Sequence, residues 1–111
     1  MSIRIGNIGI DTNDLQRATA FWRSATGYET SSEDSTVVYL ADPQRQGPGL
    51  SLQVVPEPRG GKNRLHIDLF TDDLEGEMTR LQQLGASEVE RFDGWTIMAD
   101  PDGNQFCVCK A

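Results

Sequence analysis

The fold is decided by a stretch that occurs twice in the chain, as NIGIDTNDLQ at residues 7–16 and as HIDLFTDDLE at residues 66–75. Residue 66 stands in place of residue 7, so the second copy begins 59 residues after the first. Further along, Ala-Asp-Pro occurs at residues 41–43 and again at 99–101, with an offset of 58. Matches in the same order at nearly constant spacing indicate an internal duplication.

Each copy begins with a predicted strand. Residues 4–11 and 64–70 alternate between apolar and other side chains, which is typical of a strand with two different faces. Turn residues further along, such as Asp93-Gly94, separate three more short strands in each copy. These strands are predicted at 28–31, 36–40 and 50–55 in the first copy, and at 87–92, 95–99 and 105–109 in the second.

A helix is predicted after the first strand of each copy. Asn13 and Asp72 stand where a capping box would begin each helix. Gly27 and Gly85 stand where a left-handed residue would end it. An apolar stripe along each helix is expected to pack on the sheet. The sequence therefore predicts an α+β protein made of two consecutive βαβββ units.

The predicted units cover about residues 1–56 and 64–111, joined by a linker at residues 57–63. Neither unit can bury its sheet face alone, so the two are expected to pair within one domain or with a second chain. Only 37% of the 111 residues are hydrophobic, and such a lean core favours self-association as a homodimer.

Charge and composition exclude several classes of partner. Ten Lys and Arg residues against seventeen Asp and Glu residues give a formal net charge of −7. Nucleic acids and anionic membranes require a basic face, so neither is expected as a partner. No apolar stretch approaches the roughly 20 residues that span a bilayer. The first six residues have no apolar segment typical of a secretory signal, and Cys107 and Cys109 suit a reducing compartment, so a cytoplasmic location is expected.

Several short motifs are distributed along the whole chain. They are NIGI at 7–10, Asp14-Leu15 with Phe21-Trp22, LHID at 65–68, Asp73-Leu74, LGA at 84–86 and DPDGN at 100–104. In this order they resemble the motifs of the vicinal oxygen chelate superfamily, the glyoxalase and bleomycin-resistance proteins. Within that superfamily the chain is most similar to the small glyoxalase-like domains common in actinobacteria.

The resemblance implies a curled mixed sheet that forms a trough, with the helices outside. It also implies site residues on the first and last strands of each unit. Carried over residue by residue, these positions fall on Asn7, His66 and Cys107, with Gln53 or Ser51 as the fourth. One imidazole, one thiol and two neutral oxygens are a poor set for Mg²⁺ or Mn²⁺. We therefore expect no cofactor; a divalent metal, if one binds, would use Asn7, Gln53, His66 and Cys107.

The alternation of the second unit's first strand places His66 and Asp68 on one face. Asp68 could then orient the imidazole of His66 for general acid or base catalysis. The alternative is a histidine that only satisfies its polar neighbours. Cys107 is either a nucleophile or, more simply, a buried and inert thiol.

Four side chains are candidates for apolar walls of a binding site. Because side chains alternate along a strand, Trp95 and Met98 cannot both face the site, and at least one of them belongs to the core. The other two candidates are Tyr39 and Phe70.

The function expected from these residues is binding of a small molecule through Asn7, Gln53, His66, Asp68 and Cys107. A lyase- or isomerase-type activity with His66 and Asp68 as catalytic residues and a degenerate metal site would use the same positions. Two alternatives stay open. One is a non-catalytic protein that sequesters a drug or metabolite, and the other is a metal-dependent lyase or dioxygenase. The identity of the ligand does not follow from the sequence.

Overall fold

The computed structural model describes residues 5–61 and 63–111. The chain divides into two compact units, the first ending at Pro58 and the second beginning at Arg59. Each is a βαβββ unit, so the α+β prediction is confirmed. In chain order the elements are β1 (Asn7–Thr12), α1 (Leu15–Thr26), β2 (Glu29–Glu33), β3 (Val37–Ala41), β4 (Gly49–Val54), β5 (Asp68–Thr71), α2 (Leu74–Gln83), β6 (Ser87–Phe92), β7 (Trp95–Ala99) and β8 (Gln105–Lys110).

The two units share one sheet topology. Each has a four-stranded mixed sheet, in the order β1-β4-β3-β2 in the first unit and β5-β8-β7-β6 in the second. The first strand of each unit runs parallel to the last, and the other pairs are antiparallel. The second strand is irregular between Thr30 and Ser32 in one unit, and between Glu88 and Glu90 in the other. The duplication seen in the sequence therefore extends to the backbone register.

The core of each unit lies on one face of its sheet, towards the helix of that unit. In the first unit, Leu52 of β4 and Trp22 of α1 are at most 1% exposed. In the second unit, Val108 of β8 and Met78 of α2 are at most 2% exposed. The hydroxyl of Thr96 donates a hydrogen bond to the sulfur of Met78 at 3.2 Å, which satisfies a buried polar group inside this core.

Both helices begin one residue later than the capping-box spacing predicts. The N-caps are Asp14 and Asp73, whose carboxylates accept hydrogen bonds from the third backbone N–H beyond them, at 3.1 Å in each case. A threonine hydroxyl two residues earlier, from Thr12 or Thr71, accepts a hydrogen bond from the N–H of the capping aspartate at 3.0 Å. This contact favours the second of two adjacent polar residues as the cap. Among the described residues, neither helix is long and apolar enough to cross a membrane.

The first strand of the second unit is shorter than predicted. It begins at Asp68, not at residue 64, so His66 lies two residues before the strand. Its neighbour β8 begins only at Gln105, whose carbonyl accepts a hydrogen bond from the side chain of Asn63 at 3.3 Å. The carbonyl of Gln105 therefore bonds a side chain, while the N–H of Cys107, two residues further on, donates to the backbone carbonyl of Ile67 at 2.8 Å. The corresponding prediction for the first unit started at residue 4, which lies outside the described residues.

Candidate ligand-binding site

The face of the second sheet opposite its core carries the residues of interest. Pairing across β5, β8 and β7 places Asp68 beside Cys107, and Cys107 beside Ile97. Directly paired residues share a face, and the core residue Val108 belongs to the opposite one. We call this surface the open face of the second unit.

His66, Asp68 and Cys107 form a polar centre at one end of the open face. The Nε2 atom of His66 lies 3.5 Å from the Oδ1 atom of Asp68. One ligand atom from each of the three side chains lies within 4.8 Å of the other two. The side chains of His66 and Asp68 are about half exposed, at 51% and 49%, while Cys107 is buried. In the polar centre, the solvent-accessible side chains of His66 and Asp68 therefore lie beside the buried thiol of Cys107, which belongs to β8.

The three side chains of the polar centre also fit a metal ion by their chemistry. They offer an imidazole nitrogen, a carboxylate oxygen and a sulfur atom, the donor types that zinc accepts in proteins. The family resemblance implied a different set, namely His66 and Cys107 together with Asn7 and Gln53. Here Asp68 joins His66 and Cys107, and all three residues belong to the second unit.

An apolar row lies next to the polar centre on the open face, formed by Phe70, Cys109 and Trp95, which pair across the three strands. Phe70 is 71% exposed. The ring of Trp95 stacks on that of Phe92 with a centroid distance of 4.2 Å. Burial raises the pKa of the Cys109 thiol above its ordinary value of 9.0, and the charge of Asp68 raises this pKa further. The thiol is therefore neutral at neutral pH, as suits its apolar neighbours.

The structure shows which of the two candidates, Trp95 or Met98, belongs to the core. Met98 is fully buried on the helix side of the sheet, whereas Trp95 is 37% exposed on the open face. The contribution of Phe92 was missed in the sequence analysis. The predicted Asp93-Gly94 hairpin was the signal that could have found it, because such a turn places Phe92 opposite Trp95.

The first unit holds a different polar pair at the equivalent positions. The Nδ2 atom of Asn7 donates a hydrogen bond to the Oγ atom of Ser51 at 3.0 Å. Gly9 pairs with Ser51 as Asp68 pairs with Cys107, so Ser51 is the equivalent of Cys107.

The other candidate in the first unit lies further along the same strand. Gln53 pairs with Asp11, one row beyond Ser51, and both side chains are exposed. Of the predicted site residues, the structure thus brings His66, Asp68 and Cys107 together, and it does not place Gln53 beside Asn7.

Comparison with known proteins identifies relatives over the whole chain. The family model of the glyoxalase-like domain matches residues 7–109. A glyoxalase/bleomycin resistance protein/dioxygenase family enzyme from Burkholderia phytofirmans PsJN is 15% identical with a TM-score of 0.79, covering 97% of this chain and 98% of that one. None of the curated proteins matches the chain.

Two further solved structures show the range of proteins with this fold. The trypanothione-dependent glyoxalase I of Leishmania major is 20% identical with a TM-score of 0.78, covering 98% of this chain and 87% of that one. The fosfomycin resistance protein of Listeria monocytogenes, complexed with manganese(II) and a dihydroxypropylphosphonic acid, is 17% identical with a TM-score of 0.75, covering 98% and 90%. Similarity at this level of identity establishes a shared fold, while activity depends on the residues of each site.

Proposed function

Because the chain belongs to the glyoxalase-like domain family, we propose that it binds a small organic molecule on the open face of its second unit. The observation that carries this proposal is the position of the apolar row directly beside the polar centre. Small-molecule sites combine apolar surface with a few polar groups that fix the orientation of the ligand. The exposed ring of Phe70 and the half-exposed pair His66 and Asp68 provide both.

The spacing of the two groups limits the shape of the ligand. Rows that are two residues apart along a strand lie about 6.5–7 Å apart. A ligand that uses both rows therefore has a planar apolar group and a polar group separated by about this distance. The carboxylate of Asp68 favours a polar group that donates hydrogen bonds or carries positive charge.

A second candidate function is proton transfer by His66, as in a lyase or isomerase. The 3.5 Å separation of Nε2 and Oδ1 favours it, because Asp68 can then orient the imidazole ring. The two candidates differ in outcome: a binding protein shows saturable affinity without turnover, whereas an enzyme shows a rate that His66→Ala abolishes.

Three broader features belong to the same proposal. The two units act as one domain, the chain forms a homodimer, and the protein works in the cytoplasm. The low hydrophobic content of 37% supports association, because a small core leaves each sheet with much surface to cover. The net charge of −7 supports a small-molecule ligand rather than a nucleic acid.

Titration of ¹⁵N-labelled protein with three matched probes tests the binding proposal. The probes are 3-phenylpropylamine, 3-phenylpropanol and 3-phenylpropanoate, which share a ring and a chain but differ in charge. We expect the indole N–H signal of Trp95 to shift while that of the buried Trp22 stays fixed. The affinities should fall in the order amine, alcohol, carboxylate, because Asp68 attracts the first and repels the last.

Two variants complete this experiment. Asp68→Asn should remove the preference for the amine over the alcohol. Phe70→Ala should lower the affinity for all three probes to a similar extent. Glu75→Gln is the control for an exposed carboxylate away from the open face, because Glu75 lies on α2, which packs on the opposite face of the sheet, and it should leave the order unchanged. Shifts confined to residues outside the open face, or no shifts at millimolar probe, would contradict the proposal.

A further inference from the structure

Gly9 lies in the interior of β1, at a position where the fold does not require a glycine. Its φ lies outside the left-handed region, so any L residue can adopt its backbone conformation. A Cβ added there would have one neighbour within 4 Å beyond the adjacent residues of the described chain, the Oγ atom of Ser51 at 3.4 Å. Glycine inside a strand lowers stability, and it often marks the close approach of a ligand. The missing side chain therefore has a cause other than the fold.

Side chains on the same face of the first sheet surround the space over Gly9. Asn7 and Asp11 lie two residues before and after it on β1, about 6.5–7 Å away along the strand in each direction. Across the sheet, Gly9 pairs with Ser51, and Ser51 pairs with Tyr39. Because paired residues share a face, these four side chains border one gap, which we call the glycine notch.

The glycine notch is open to solvent and large enough for one ring. It lies on the face of the sheet opposite the buried pair Ile10 and Leu52. Gly9 is exposed, and Tyr39 is 43% exposed. Gly9 and Tyr39 are two strand spacings apart, about 9.6 Å, and only the small side chain of Ser51 stands between them. A single six-membered ring can therefore lie on the backbone of Gly9 beside the ring of Tyr39.

Three neutral side chains of the glycine notch both donate and accept hydrogen bonds. The Nδ2 atom of Asn7 donates to the Oγ atom of Ser51 at 3.0 Å. A hydroxyl that accepts one hydrogen bond still has its own hydrogen to donate, and the carboxamide oxygen of Asn7 can accept. The phenol of Tyr39 also does both. Because ligand hydroxyl groups likewise donate and accept, a polyhydroxylated molecule matches these groups.

The charge of the first sheet favours a neutral ligand over an anion. None of its four strands, β1 to β4, contains a lysine or an arginine. The carboxylate of Asp11 borders the glycine notch and repels negative charge.

We propose that the glycine notch binds one ring of a neutral sugar. The C–H surface of the sugar packs on the ring of Tyr39, and its hydroxyl groups bond the side chains of Asn7 and Ser51. All of these residues belong to the first unit. The proposal therefore does not depend on a ligand bound to the open face of the second unit.

Titration of ¹⁵N-labelled full-length protein with methyl β-D-glucopyranoside tests the proposal. We expect the amide signals of Gly9 and Ser51 to shift and to saturate at millimolar sugar, while the indole N–H signal of Trp95 stays fixed. The matched probe is 2-methoxytetrahydropyran, which keeps the ring and the methoxy group but has no hydroxyl groups. It should bind at least about tenfold more weakly, because it cannot replace the lost hydrogen bonds. The methyl glucuronide, which carries a carboxylate, should also bind more weakly than the glucoside.

Substitution of Gly9 separates binding from stability. Gly9→Ala and Gly9→Val should lower the affinity for the glucoside at least about tenfold, because each fills the glycine notch. Both should keep or raise the urea midpoint of unfolding, since a strand favours alanine and valine over glycine. Glu33→Thr is the control, because it places a strand-forming residue on the other face of the same sheet, where Glu33 pairs with the buried Val38. It should leave the affinity unchanged.

Two further variants test the borders of the glycine notch. Ser51→Ala removes a hydroxyl that contacts Asn7, and Tyr39→Leu removes the aromatic ring but keeps an apolar side chain. Each should lower the affinity for the glucoside about threefold to tenfold.

Four results would overturn the proposal. These are a sugar that shifts Trp95 and not Gly9, equal binding of the probe without hydroxyl groups, wild-type affinity in Gly9→Ala, and a lowered urea midpoint in Gly9→Ala. The last result would show that the fold itself requires the glycine. Because the probe is a sugar, such a failure leaves the binding of 3-phenylpropylamine untouched. A failed titration with 3-phenylpropylamine would instead remove only the proposed function.

Discussion

The two units of this chain share one backbone arrangement but differ in chemistry at equivalent positions. Gly9 and Ser51 pair in the first unit as Asp68 and Cys107 do in the second. Asn7 contacts Ser51 in the first unit, and His66 takes the equivalent place beside Cys107 in the second. The register is therefore the same while the functional groups are an amide and a hydroxyl in one unit, and an imidazole, a carboxylate and a thiol in the other.

This difference shows which part of each unit is constrained. On the core face, apolar residues occupy equivalent places, such as Leu52 in β4 and Val108 in β8. A shift of one residue would turn these side chains to the opposite face, so the core fixes the register. The side chains on the opposite face of each sheet carry no such constraint, and they differ between the two units.

The largest expected effect tests whether the two cores are equivalent. Leu50 and Phe106 occupy matching places, paired with Leu40 and Met98, and both are buried. Leu50→Ala should lower the free energy of unfolding by about 2–5 kcal/mol and Phe106→Ala by about 3–5 kcal/mol, because each leaves a cavity. Urea denaturation followed by circular dichroism measures both.

Phe70→Ala is the matched control for this experiment, because it removes the same ring from the exposed side of the same sheet. Its effect should stay within about 0.5 kcal/mol. If the chain unfolds as one domain, each core variant shifts a single transition. Two separate transitions, with only one of them moved by each variant, would contradict the single-domain prediction.

The next effect concerns the helix starts, where the two units agree. Asp73→Ala and Asp14→Ala should each cost about 1 kcal/mol, because each removes the acceptor for a backbone N–H of the first turn. Asp72→Ala is the control, since Asp72 is the residue that the sequence spacing marked as the cap. A larger loss for Asp72→Ala than for Asp73→Ala would contradict the assignment of the caps.

The smallest expected effect depends on pH and lies in the loop after β3. Backbone N–H groups of Gln44, Gln46 and Gly47 hold the pKa of Asp42 below its ordinary value of 3.8. A lowered pKa means that the ionised carboxylate stabilises the folded state above pH 3.8, and that this contribution is lost as the pH falls through the lower folded value. Asp42→Asn should therefore reduce stability at pH 6.

Unfolding at two pH values tests this effect. The stability difference between Asp42→Asn and the wild type should shrink from pH 6 to pH 2.5, because the wild-type carboxyl is then becoming protonated as well. A carbon NMR titration of Asp42 measures its pKa directly. A stability difference of equal size at both pH values would show that the carboxylate charge has no part in holding the loop.

Most of the fold was predictable because it depends on local patterns that occur twice. Alternation in the strands and the glycines after the helices predicted ten elements, and all ten are present. The boundaries were less predictable, because they depend on contacts between distant residues. β5 starts at Asp68, and the side chain of Asn63 binds the carbonyl of Gln105 at the start of β8, a contact that no spacing in the sequence reveals.

The candidate site was predictable only in part. Two residues apart in sequence, His66 and Asp68 were expected to lie close, and the structure places them 3.5 Å apart. The addition of Cys107 to this pair depends on the parallel register of β5 and β8, which are separated by a helix and two strands. For the same reason the choice between Ser51 and Gln53 needed the register of β1 and β4.

The irregular second strand of each unit has a consequence for behaviour in concentrated solution. β2 and β6 stand at the end of the strand order, where an unpaired backbone can recruit a strand from another molecule and start a growing aggregate. Both carry carboxylates, such as Glu33 and Glu90, beside the local break in register. Low pH protonates these carboxylates and removes their charge, but it leaves the irregular backbone of β2 and β6 unchanged. In acid, the irregular backbone is therefore the main feature that hinders strand addition from another molecule.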